Sequence, residues 1–228
     1  MDREIRRWIA LDHQNILPFL GTAVLDAEVE FPICFVSPWM DNGNIIKYLS
    51  SHPETDKIKL VSGVAEGLLY LHSQNPPIFH GAVKGDNILI TQIGDSVLSD
   101  YGLTVFDAQT QGYTALPPEW ARWSPPEFVF PAQYNMTSAE TWAPATDVFS
   151  FGMAIYEILS GAPPFKAHSC YTARQEIQDG RRPDIAQSWM DGHQTSALVQ
   201  VMTDCWKQER DQRPSTAGIA AILRASRT

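Results

Sequence analysis

Two short polar stretches hold the residue types that could do chemistry. The first is Ile78-Phe79-His80-Gly81-Ala82-Val83-Lys84-Gly85-Asp86-Asn87-Ile88-Leu89-Ile90, in which polar heads sit between apolar runs. Loops gripped at both ends by core commonly carry function. The second is Ser99-Asp100-Tyr101-Gly102-Leu103, a carboxylate beside a glycine after another apolar run. Asn87 and Asp100, delivered by neighbouring strand ends, would offer hard oxygen ligands of the kind magnesium takes.

These stretches resemble the catalytic half of a protein kinase. The family's catalytic loop, H-R-D-L-x-x-x-N, falls on His80 to Asn87, and its metal loop, D-F-G, on Asp100-Tyr101-Gly102. Ser124-Pro125-Pro126-Glu127 stands where the family has A-P-E. Asp147-Val148-Phe149-Ser150-Phe151-Gly152 is similar to the start of its central helix, and Arg213-Pro214 to its late arginine. Motifs in the right order over most of the chain are far more specific than any one alone. The order breaks at the most telling residue, because the catalytic Asp is Ala82 here.

The resemblance implies an α+β, protein-kinase-like fold, mainly the α-helical C-lobe with an incomplete N-lobe made of the regulatory helix and a few strands. Residues 1–40 would form the partial N-lobe and hinge, and residues 41–228 the C-lobe. It also implies roles: Lys84 for phosphate contact, Asn87 and Asp100 for metal and nucleotide, and Met40 for the adenine hinge. Glu4, His80, Glu127, Asp147 and Arg213 would be structural. Lys84 inclines the resemblance toward serine/threonine rather than tyrosine kinases, and the rest of the sequence resembles the tyrosine-kinase-like serine/threonine group. Neither a glycine-rich loop nor a strand lysine occurs in these residues, so Glu4 lacks its expected lysine partner.

Composition bounds the answer. With 228 residues, 44% apolar and 19% charged, the chain is long enough for one sizeable core and is globular rather than disordered. A net charge of -9 argues against nucleic-acid or anionic-membrane partners, which need clustered Lys and Arg. The small basic groups, Arg3, Arg6 and Arg7 with Arg181 and Arg182, are expected on solvated helix ends and turns. Cys34, Cys170 and Cys205 lie far apart, so a reducing, cytoplasmic setting without disulfides is expected. Nothing approaches a membrane-spanning run or a signal peptide.

The elements that must position the motifs follow from periodicity. Asp2 to Leu11 reads as a helix with Ile5, Trp8 and Ile9 on one face. His13 to Gly21 resembles the kinase turn after the regulatory helix. Thr22 to Leu25 and Ile33 to Val36 read as strands around an acidic turn. Ser37-Pro38-Trp39-Met40 resembles the hinge, the alternative being a tight crossover with a buried Trp. A short helix follows through Ile45, Ile46 and Leu49, and Asp56 to Gln74 is an amphipathic helix leading to the catalytic loop. Ser96 to Leu98 is a strand feeding Asp100. Leu103 to Pro118 is irregular, with Thr104, Thr110, Tyr113 and Thr114 as candidate phosphorylation sites. Gly81 stands where an arginine would meet such a phosphate.

Asp147 to Leu159 is apolar around most of its circumference and belongs at a domain centre, stopped by Gly161 and Pro163-Pro164. Tyr171 to Asp179, Ala197 to Lys207 and a Ser215-capped helix through Ile219, Ile222 and Leu223 complete the chain.

Each site residue has a plainer alternative. Glu127 and Arg213 form a buried ion pair or are turn residues in water. Asp147 anchors the catalytic loop, caps a helix, or does both. His80 is expected in the core, its ring stacked on Tyr101. The resulting expectation is a pseudokinase acting in protein interaction or signalling, binding Mg-ATP weakly at most. The rival is an ATP-dependent serine/threonine kinase acting on protein hydroxyls. An incomplete N-lobe would leave apolar residues around Trp8, Ile16 and Phe19 exposed and in need of a protein partner.

Overall fold

The computed structural model describes residues 2–24, 33–105 and 118–227. Its architecture is the helix-dominated α+β arrangement that the resemblance implies. Helix α1 (Asp2–Ile9) is followed by an antiparallel pair, β1 (Gly21–Val24) and β2 (Ile33–Val36), in the register Gly21↔Val36 to Val24↔Ile33. Leu25 and the acidic turn lie outside the described residues. Helix α2 (Ile45–Ser51) begins at Asn44, whose side chain accepts from the Lys47 amide. Helix α3 (Lys57–His72) begins at Asp56, which caps the Lys59 amide in the same way.

Next come β3 (Ile88–Ile90) and β4 (Ser96–Leu98), an antiparallel pair that flanks the candidate loops. The stretch after α1 joins β4 directly: the Leu17 amide donates to Leu98 O at 2.8 Å and the Leu98 amide to Asn15 O at 2.9 Å. Helix α4 (Pro126–Val129) is a single turn. Helix α5 (Pro144–Ser160) starts on a proline, which suits a first turn, and ends at Gly161 with φ 68°, a left-handed position that favours glycine. Helices α6 (Cys170–Gln178), α7 (Gln187–Asp191), α8 (His193–Cys205) and α9 (Thr216–Ala225) finish the chain.

Helix α5 is the centre of the helical part. Phe149, Phe151, Met153 and Ile155 are wholly buried, α8 packs along it, and α9 packs on α3. Its apolar circumference is the sequence pattern of an enclosed helix. The helix begins at Pro144, earlier than the apolar run alone suggests, and α8 begins at His193 rather than Ala197. Residues 103–105 are helical, not irregular, while Thr110, Tyr113 and Thr114 lie outside the described residues. Thr104 is buried, which removes it as an accessible phosphorylation site.

The N-terminal part corrects several expectations. Trp8, Ile16 and Phe19 are buried rather than exposed, because Trp8 meets Phe19 at 5.9 Å and Phe35 at 5.8 Å, edge to face. The apolar surface lies elsewhere, at Leu20, Val24 (77% exposed) and Trp39 (85% exposed). Trp39 therefore excludes the crossover with a buried Trp. Ile9 and Ile222 are about half exposed, since only one side of each helix is covered. Arg182 is not a solvated turn residue: it donates to Trp206 O and Gln208 Oε1, and burial with neighbouring Arg213 pulls its pKa down to about 10. Among the described residues no helix is long and apolar enough to cross a membrane.

The approach of α3 to the Asn15 segment depends on Gly67. A Cβ there would lie 2.7 Å from the Asn15 carbonyl oxygen and 3.0 Å from Leu98 Cδ1. Gly67→Ala is expected to lower unfolding free energy by about 1–3 kcal/mol through overpacking, measured by urea denaturation.

Candidate active site

The loop from His80 to Asn87 is held from α5. Asp147, 1% exposed, accepts the His80 amide on Oδ2 and the Gly81 amide on Oδ1, each at 2.8 Å. Its Oδ2 also receives His72 Nε2 from the end of α3 at 2.8 Å. Burial opposes ionisation of this carboxyl, but the His72 bond, the two histidines and the Gly81 amide outweigh it and hold its pKa below the ordinary range. Asp147 is thus a loop anchor as well as a first-turn acid.

His80 is wholly buried, and its Nδ1 accepts the Ala82 amide at 3.3 Å. That bond places the proton of the neutral ring on Nε2, which is buried without a partner among the described residues. The ring does not stack on Tyr101; its neighbours are the Asp147 anchor and the turn itself. Tyr101 is buried instead through its hydroxyl, which donates to Leu17 O at 3.0 Å. Burial lowers the His80 pKa from the ordinary 6.5, against the pull of Asp147 and Asp100.

Gly81 has φ 77°, and a Cβ there would meet Trp142 at 3.0 Å and Thr104 and Val105 at 3.3 Å. A side chain at this position would be strained by the backbone and crowded by these neighbours. Ala82 follows with a methyl group where a general base would need a carboxylate. The nearby Asp86 points away and is 66% exposed: its Oδ1 accepts from Asn44 Nδ2 at 3.0 Å, and Lys84 lies 3.9 Å from its Oδ2.

Asn87 Nδ2 donates to Ala82 O at 2.9 Å, which leaves its amide oxygen as the outward acceptor. Ser99 ties the second loop to the first, its amide and hydroxyl donating to Asn87 O at 2.9 and 3.3 Å. Asp100 is exposed in a left-handed turn, φ 57°. The Gly102 amide then bonds His80 O at 3.1 Å, and Trp8 packs so closely that a Cβ on Gly102 would sit 3.1 Å from its indole nitrogen.

The donor set fits magnesium in the way that ion is usually held. Among the described residues no cluster of three His, Cys, Asp or Glu could cage a metal. One carboxylate and one amide oxygen suffice when water and phosphate complete the shell. At the hinge-like segment, Met40 O accepts the Gly43 amide at 3.0 Å, so its carbonyl already serves a turn. Glu4 pairs with Arg7 at 3.0 Å on its own helix.

Below the loops, Arg213 and Glu127 form a bidentate pair at 2.5 and 2.8 Å with both side chains buried. Arg213 also donates to the carbonyls of Ala145, Lys207 and Gln208, so each end of the pair is fully used. Sequence reasoning missed Glu157. It lies in α5 and its Oε2 accepts both the Gly85 amide at 2.8 Å and Trp123 Nε1 at 2.9 Å. Burial pushes its pKa up, against those two bonds. The available signal was an acid well inside the apolar run that follows Asp147. Trp120 and Trp123, whose rings lie 5.4 and 6.0 Å from Lys84 Nζ, carried no motif at all.

Two measurements check this account. Glu127→Ala should cost about 3–5 kcal/mol of stability, because Arg213 is left charged and buried; chemical denaturation reads it. His80, with its folded pKa below the unfolded 6.5, contributes stability that falls as pH drops below 6.5 toward the folded value. The thermal midpoint should therefore fall less steeply between about pH 7 and 5.5 in His80→Gln than in the parent chain. The lowered Asp147 acts only at more acidic pH, and the raised Glu157 opposes the trend equally in both proteins.

Comparison with known proteins agrees with this geometry. The chain is 28% identical to serine/threonine-protein kinase VIK of Arabidopsis thaliana, over 96% of this chain and 49% of that protein. It is 27% identical to receptor-interacting serine/threonine-protein kinase 3 of Rattus norvegicus, over 94% and 46% respectively. It is 26% identical to TGF-beta receptor type-2 of Mus musculus, over 96% and 43%. The chain thus spans less than half the length of these three relatives. The family model described as protein tyrosine and serine/threonine kinase matches residues 1–223, and the chain belongs to the protein kinase family.

Proposed function

We propose that this kinase-family domain is a pseudokinase, working through protein interaction in signalling and binding Mg-ATP weakly at most. The observation that carries this reading is Ala82. A general base contributes about 10² to 10⁴ in rate, or about 3–5 kcal/mol of barrier. The arrangement of the two acids nearest the loop supports this reading. Asp86 turns toward Asn44, and both donors to Glu157 hold it in the core. Loss of the base therefore leaves a scaffold whose loops are in place without the group that would accept a proton from a hydroxyl.

The exposed apolar surface favours a protein partner. Leu20, Val24 and Trp39 expose apolar area around the β1–β2 pair, while the net charge of -9 disfavours nucleic acid and anionic membrane. Lys84, Asn87 and Asp100 favour a second reading, an active serine/threonine kinase, because they are the residues that phosphate and magnesium would use.

Phosphotransfer and ligand binding separate the two. Transfer from radiolabelled Mg-ATP to a protein acceptor is expected to stay at background, and turnover near the usual kinase range of about 1–100 s⁻¹ would overturn the pseudokinase reading. Millimolar Mg-ATP should raise the thermal midpoint by about 2–4 °C if binding is weak. The exposed Asp100 has no hydrogen-bond partner to lose among the described residues, so Asp100→Ala should abolish that shift without unfolding the chain.

A further inference from the structure

Lys84 is the one cation on the candidate catalytic loop, and it does not face open solvent. Its side chain is 19% exposed, and the nearest carboxylate oxygen, on Asp86, is 3.9 Å away. The ammonium lies instead over two indoles, 5.4 Å from the Trp120 ring centroid and 6.0 Å from that of Trp123. Both distances fall within the range in which a ring face attracts a cation. The two tryptophans sit on a tight turn, with the Trp123 amide bonded to Trp120 O at 3.1 Å and Ser124 Oγ to the same oxygen at 3.0 Å. Ala82, Lys84, Trp120, Trp123 and Ser124 line a small pocket between loop and turn.

Two attachments hold this turn down. Glu157 Oε2 accepts Trp123 Nε1 and the Gly85 amide together, so one oxygen joins the turn to the loop. That approach requires Gly85, since a Cβ there would come within 3.0 Å of the Glu157 carboxyl carbon and 2.5 Å of Ile46. On the other side, Arg122 donates to the carbonyls of Pro164, Phe165 and His168 at 3.0, 2.6 and 2.7 Å.

We propose that Trp120 and Trp123 form an autoinhibitory cap over Lys84, latched by Glu157, which an anionic ligand must lift before it can reach the ammonium. The cap closes the side of the cleft that faces Ala82. An indole over an ammonium also makes the amine less reachable to any other reactant. Every contact in the cap is internal to the chain, so the cap forms without nucleotide.

Lysine acylation tests it. The folded chain is treated with sulfosuccinimidyl acetate without nucleotide, and the rate at each lysine is read by peptide mass spectrometry. The exposed Lys47 and Lys166 serve as internal references. Lys84 should react about five- to thirty-fold more slowly than Lys166, the range that a partly desolvated cation–π contact spans. Trp120→Ala should bring Lys84 to within about three-fold of Lys166 while Lys47 is unchanged. Trp123→Phe keeps a ring but removes the N–H that Glu157 holds, and should give an intermediate rise. Equal rates at Lys84 and Lys166 in the parent chain would overturn the proposal. So would an unchanged Lys84 rate in folded Trp123→Phe, which decides the matter if Trp120→Ala fails to fold.

Discussion

One buried carboxylate governs the rest of the site. Asp147 receives three N–H donors on two oxygens, from the end of α3 and from two successive amides of the candidate catalytic loop. A carboxylate in the core costs several kcal/mol unless such donors repay it, so anchor and loop stabilise each other. Because Asp147 projects from the first turn of the most enclosed helix, the loop inherits the rigidity of that helix. Once His80 and Gly81 are placed, the His80 carbonyl holds Gly102, and Asn87 holds Ser99 on either side of Asp100.

This dependence leaves the loop's shape indifferent to the side chain at position 82. The bonds that shape the loop run through backbone amides and carbonyls, through Asp147, Glu157 and the amide of Asn87. The side chain at position 82 takes no part in them; only the Ala82 amide and carbonyl are used. A methyl group there leaves the hydrogen bonds that shape the loop in place. The buried Glu127–Arg213 pair works similarly at a distance, tying α4 to the turn before α9, with three carbonyls from two further segments completing the guanidinium's bonds.

The wall above the loops is built by aromatic packing instead of ion pairing. Trp8, Phe19 and Phe35 form a mutual cluster with centroids 5.7–5.9 Å apart, and Trp8 also closes on Gly102. The regulatory-type helix therefore sits directly on the Asp100 turn, while Glu4 pairs within its own helix. Leu20 and Val24 beside or in β1, and Trp39 after β2, leave apolar area exposed in this part of the chain.

Much of this was legible in the chain itself. Periodicity identified α3 and α5, Ser215 declared itself as a cap, and the spacing of His80, Asn87, Asp100, Glu127 and Arg213 marked the family. Such features are local, set by helix geometry, turn preferences and short motifs that each residue carries with its neighbours. Three-dimensional packing alone decided that Trp142 fills the space beside Gly81, that Trp8 is covered while Ile9 is not, and that Glu157 joins Gly85 to Trp123. Those contacts link segments tens of residues apart, and no local preference specifies which distant indole or carboxylate will arrive. Their identity depends on how helices pack, because burial makes each unpaired polar group costly until some partner reaches it.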